Sequence, residues 1–77
     1  MQAALYWSTE TSLGTFFITL RQDGRWELRN ESEVFGSWAT PKQAADDFGG
    51  KHSGCCEWDM SDHDGPLDLG EWEAHRR

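Results

Sequence analysis

Hydrophobic and strand-forming positions concentrate between Gly14 and Trp38, where three short runs are separated by two turn signals. The first, Thr15-Phe16-Phe17-Ile18-Thr19-Leu20, is rich in β-branched and aromatic residues that pack well on a pleated surface, and it leads into the turn-forming pair Asp23-Gly24. The second, Arg25-Trp26-Glu27-Leu28-Arg29, alternates polar and apolar residues. A two-residue Asp23-Gly24 loop would set Thr19 opposite Leu28 and Arg21 opposite Trp26, mixing polar and apolar side chains on one face. A three-residue loop, Gln22-Asp23-Gly24 with Gly24 in the left-handed region, instead pairs Leu20 with Trp26 and Ile18 with Leu28, and this register is expected. The third run, Glu33-Val34-Phe35-Gly36-Ser37-Trp38, follows the turn-favouring Asn30-Glu31-Ser32. Strict alternation then predicts an inner face of Phe16, Ile18, Leu20, Trp26, Leu28, Val34 and Trp38, with Phe17 and Phe35 left on the outer face.

The flanking segments are less regular. Met1 to Ser12 reads as irregular or weakly extended, although Trp7 is expected to reach the core. Thr40-Pro41-Lys42-Gln43 is a helix start: Thr40 caps the amide of Gln43, and Pro41 stands at the first helical position, where its missing N–H costs nothing. Ala44, Ala45 and Phe48 fall on one face at helical spacing, Asp46 and Asp47 face outward, and Gly49-Gly50 ends the helix. Cys55-Cys56-Glu57-Trp58-Asp59-Met60 alternates in the manner of a fourth strand with Cys56, Trp58 and Met60 inward. Leu67 to Glu73 predicts a short helical turn laying Leu67, Leu69 and Trp72 on the sheet, after which Ala74 to Arg77 should fray. The expected fold is α+β, a three- to four-stranded antiparallel sheet with one helix packed on one face. It forms a single domain over 1–77, with an N-terminal segment 1–13, a β-β-β-α core 14–50 and an acidic C-terminal segment 51–77.

Seventy-seven residues allow one modest core, which five Trp and four Phe can fill. Fourteen carboxylates oppose seven Lys and Arg, and the excess is uneven: five against three over residues 1–40, nine against four over 41–77. Such a field repels phosphates, so nucleic-acid binding is not expected, while a basic protein partner is favoured. There is no basic segment leading into an apolar core of signal-peptide length and no run of 18 apolar residues, which predicts a cytoplasmic protein without a membrane partner. The adjacent Cys55 and Cys56 are then reduced thiols, since neighbouring cysteines are too strained to bridge.

Candidate chemistry is sparse. His52, Cys55, Cys56 and His63 supply ligand types suited to zinc, but structural zinc sites use paired ligands two to four residues apart, and adjacent cysteines on a strand diverge. Asp59, Asp62, Asp64 and Asp68 surround Gly65, yet setting Gly65 sixth in a calcium loop places Met60 first, where it cannot coordinate. No nucleophile and base stand in a recognisable catalytic context, and no Gly-rich loop cradles a phosphate. Neither an enzyme nor a cofactor is therefore expected.

From Phe16 to Gly49, with Gly24-Arg25-Trp26 at the first turn and Thr40-Pro41-Lys42-Gln43-Ala44-Ala45 opening the helix, the chain resembles the β-β-β-α modules of the YegP-like type. Cys55-Cys56-Glu57-Trp58-Asp59 and Asp68-Leu69-Gly70-Glu71-Trp72-Glu73 resemble tails found in short bacterial proteins. Neither resemblance implies a defined activity, and the chain has one module where the YegP-like pattern has a tandem pair. The sequence reading is a non-enzymatic protein-interaction module, monomeric or weakly dimeric, presenting Phe17 and Phe35 or the acidic Asp59, Asp62 and Asp64. The alternatives are an acidic inhibitor that mimics nucleic acid, or a metal-binding protein.

Overall fold

The computed structural model describes residues 5–61 and 65–76. Five strands form one antiparallel sheet: β1 (Tyr6–Thr11), β2 (Gly14–Leu20), β3 (Trp26–Arg29), β4 (Val34–Trp38) and β5 (Glu73–His75), in the spatial order β4-β3-β2-β1-β5. Helix α1 (Pro41–Gly49) packs on one face, and a one-turn helix α2 (Cys56–Asp59) follows it. The α+β class holds, with five strands in place of the expected three or four.

The central hairpin has the expected register. Leu20 pairs with Trp26 and Ile18 with Leu28, Arg21 and Arg25 close the ladder, and Gly24 takes the left-handed conformation at φ 86°. Asp23 fixes the loop by accepting the Arg25 amide at 3.1 Å. Helix α1 also starts as its sequence dictates, with the Thr40 hydroxyl accepting the Gln43 amide at 3.1 Å and Pro41 at the first position. At the other end the left-handed residue is Lys51, at φ 64°, not either glycine. Its ammonium lies 3.7 Å from the centre of the Trp58 ring and donates to the Trp58 carbonyl, interactions that hold the unusual backbone in place.

Both chain ends depart from expectation. Within the segment read as irregular or weakly extended, Tyr6–Thr11 is a regular inner strand, β1, paired with β2 on one side and β5 on the other. Its turn, Ser12-Leu13, lacks the usual Asn-Gly signal. Thr11 supplies the missing local order: its hydroxyl accepts the Leu13 amide and donates to the Gly14 carbonyl. Residues expected to fray form β5, because Trp72, buried and edge-on to Phe48 with centroids 5.2 Å apart, anchors the chain immediately before it.

The alternating stretch Cys55 to Met60 is helical, not a strand. Ser53 and Gly54 fold back on the Asp59 carboxylate, and the Cys55 amide donates to the Ser53 hydroxyl, a local network that closes a turn where a strand would extend. Helical spacing of three then buries Cys55 with Trp58 and leaves Cys56 and Met60 exposed, the reverse of the strand prediction for the two cysteines and Met60. Trp58 is fully enclosed, stacked on Phe48 at 4.4 Å and packed against Phe16. A Cβ on Gly65 would stand 2.5 Å from the Trp58 ring, so only glycine lets the following chain cross so closely.

The core is Phe16, Ile18 and Leu28 from the sheet, Ala44, Ala45 and Phe48 from α1, and Cys55, Trp58 and Trp72 from the C-terminal half. The alanines let α1 approach the sheet closely. Leu20 and Val34, expected inside, are exposed, as is Leu67. A bulge explains Val34: β4 slips one residue between Leu28 and Arg29, so Val34 pairs with Arg29 on the outer face. Phe35 turns inward instead, 5.9 Å from Phe16, and packs on the core, overturning its expected outer position.

Candidate functional site

Alternation along the strands determines what the face opposite α1 carries. Phe16, Ile18 and Leu28 point toward the helix, so Thr15, Phe17, Thr19, Glu27 and Arg29 point away from it, and strand pairing extends this pattern across the sheet. Two rows result. One runs His75, Tyr6, Thr19, Glu27, Ser37 from β5 to β4, and the other runs Glu73, Ser8, Phe17, Arg29, Val34.

No helix packs on these rows among the described residues, yet their centre is aromatic. Tyr6 stacks on the His75 imidazole at 4.4 Å with the rings 10° from parallel, and Phe17 lies 6.4 Å from Tyr6. A hollow of about 410 Å³ opens beside them, lined by Tyr6, Phe17, Thr19, Arg29, Asn30 and Glu31. Its rim is rigid: the Asn30 side-chain oxygen accepts the amides of Ser32 and Glu33 at 2.8 and 2.7 Å, fixing the β3–β4 turn. Arg29 reaches Glu27 at 3.5 Å and donates to the Asn30 carbonyl.

Ser8 and His75 form the arrangement nearest to chemistry. The Ser8 hydroxyl stands 2.7 Å from His75 Nε2, and Glu73 Oε1 stands 3.6 Å from that same nitrogen. In a catalytic triad the carboxylate holds the opposite imidazole nitrogen, so this geometry does not orient a base for its nucleophile. Ser8 is also buried, and its bond ties β5 to β1.

The remaining predicted site residues are dispersed. Phe17 lies on the open face and Phe35 on the helix side. Asp59 directs both carboxylate oxygens into the Ser53–Gly54 turn, and Asp47 accepts the Trp38 indole N–H at 2.7 Å. Asp62, His63 and Asp64 lie outside the described residues. His52 and Cys56 are exposed and Cys55 is buried, and among the described residues no group of three or more His, Cys, Asp or Glu side chains could hold a metal ion. Lys42 has its ammonium pKa raised by the hydrogen bond and charge of Asp46, an ordinary pairing along the surface of α1.

No protein-family model, curated protein or solved structure matches the chain. No helix among the described residues is long and apolar enough to cross a membrane. Sequence reasoning missed Tyr6, Arg29, Val34 and His75. The strand propensity of Tyr6, Trp7, Thr9 and Thr11 was the available signal for Tyr6, while His75 follows only from the pairing of β5 with β1.

Proposed function

We propose that this chain is a non-enzymatic protein-interaction module that docks through the open face of its sheet. The observation that carries the reading is the Tyr6–Phe17–His75 cluster: an aromatic patch on a face without a covering helix, beside a hollow and bordered by Arg29. Aromatic residues and Arg are enriched at protein interfaces, and a small protein gains nothing in its own core from placing them here. The face mixes Glu10, Glu27 and Glu73 with Arg21, Arg25 and Arg29, so it suits a partner that is itself mixed in charge better than a uniformly basic one. The net acidity resides more in the C-terminal half.

Affinity capture with the wild-type chain, Phe17→Ser and Leu67→Ser tests this. Leu67 is exposed beside α1, on the opposite side of the sheet from Phe17. Capture of a protein by wild type and Leu67→Ser but not by folded Phe17→Ser is expected, with most of the signal retained at high salt because the centre of the patch is apolar. Equal capture by folded Phe17→Ser would overturn the reading.

A further inference from the structure

We infer that the partner of the open sheet face is a second copy of this chain, in a face-to-face dimer about a twofold axis that lies midway between the two sheets and parallel to them. The inference rests on the docking role of that face. Its basis is the pairing of the two rows. Such an axis, running across the strands above the line midway between the two rows, brings each row opposite the other row of the partner copy, with strands running in opposite directions, an alignment compatible with ordinary sheet-on-sheet packing.

The charged positions in the two rows then meet a complement. On β3, Glu27 faces the second copy's Arg29 and Arg29 faces its Glu27, forming a four-charge ring from a pair already 3.5 Å apart within one chain. On β5, Glu73 faces the imidazole of His75 and the reverse. At the centre, Phe17 meets Thr19, a large side chain against a small one, and Tyr6 lies over the position of Ser8, which is itself buried. On β4, Val34 meets Ser37. A heterologous peptide would have to supply this alternation of size and charge by coincidence, whereas an identical copy supplies it by symmetry.

The dimensions set the strength. Five strands span about 24 Å, and five residues along them about 17 Å, so roughly 400 Å² of face per copy is covered in projection. This is roughly half the ~800 Å² per partner of a standard interface, so the dimer is a weak, transient one that forms only at high protein concentration.

Sedimentation equilibrium in reducing buffer from about 10 μM to 1 mM tests the proposal, with circular dichroism confirming that each variant is folded. Wild type should move from monomer to dimer across this range. Arg29→Glu places four carboxylates in the ring and should weaken association at least tenfold, as should Glu27→Arg by placing four guanidinium groups there. The double variant Glu27→Arg/Arg29→Glu rebuilds the ring and should recover association to within about threefold of wild type. Lys42→Glu, the same change of charge on α1, should leave it unaltered. A wild type that stays monomeric at 1 mM overturns the proposal, as does a double variant no better than its single parents. If the chain is monomeric while Phe17→Ser still abolishes capture of another protein, the self-pairing fails and the docking role of the face stands.

Discussion

Trp58 stacks on Phe48 with centroids 4.4 Å apart and planes 9° from parallel, and its indole N–H donates to the Phe48 carbonyl at 2.8 Å. One side chain thus joins the end of α1 to α2 by both packing and a directional bond. Truncation to alanine removes the largest fully buried side chain among the described residues, and Trp58→Ala should cost about 3–5 kcal/mol, enough to unfold a domain of this size at ordinary temperature. Trp58→Phe keeps most of the area but removes the indole donor, leaving the Phe48 carbonyl with the Lys51 amide alone, for about 1 kcal/mol. Urea unfolding followed by far-ultraviolet circular dichroism separates the two, and equal stability of Trp58→Phe and wild type would contradict the bond.

Thr40 caps the only long helix among the described residues, and its hydroxyl serves an exposed amide that water can also reach. Thr40→Ala should therefore lower stability by about 1 kcal/mol, and Thr40→Ser should retain nearly all of it. The denaturation midpoint should fall without a change in slope, because the cap adds little to the surface exposed on unfolding. A cost near zero would mean that α1 is fixed entirely by the packing of Ala44, Ala45 and Phe48.

The parts of the fold legible in the sequence are those where local chemistry and tertiary packing agree. The Gln22-Asp23-Gly24 turn and the Thr40-Pro41 start are set by residues within a few positions of one another, and the structure keeps both. Elsewhere a local pattern was overruled by a distant partner. Glu73–His75 has no strand signal of its own and becomes a strand because β1 offers an edge beside buried Trp72. Phe35 follows strict alternation until a one-residue slip against β3 turns it inward, and such a slip leaves no mark in the hydrophobic pattern. The site was legible to the same extent: Phe17 sits on a well-determined hairpin, whereas Tyr6 and His75 meet only because the two ends of the chain pair.

Asp59 accepts the amides of Ser53 and Gly54 and the Ser53 hydroxyl at 2.8–3.1 Å, and Ser53 is itself buried. The carboxylate therefore acts as an internal anchor for the loop between the two helices. Asp59→Ala leaves those donors without their acceptor and should cost about 2 kcal/mol, while Asp59→Asn, which still offers one oxygen, should cost less. Thermal unfolding of both variants checks the order. Unchanged stability in both would return Asp59 to the role of a surface charge available to a partner.

Cys55 and Cys56 are neighbours in sequence with opposite environments. Cys55 is 8% exposed within the core, whereas Cys56 is exposed on the one-turn helix with its sulfur 3.7 Å from that of Met60. A thiol reacts only when reagent reaches it, so the folded chain should show one fast and one slow thiol toward an aromatic disulfide reagent. The slow rate should follow local or global opening and rise steeply in urea, because the packing that buries Cys55 must separate first. Cys56→Ser should abolish the fast phase and leave the slow one, and Cys55→Ser should do the reverse. Two equally fast thiols in folded protein would mean that Cys55 is not held in the core, and the placement of α2 against Phe16 and Phe48 would fail with it.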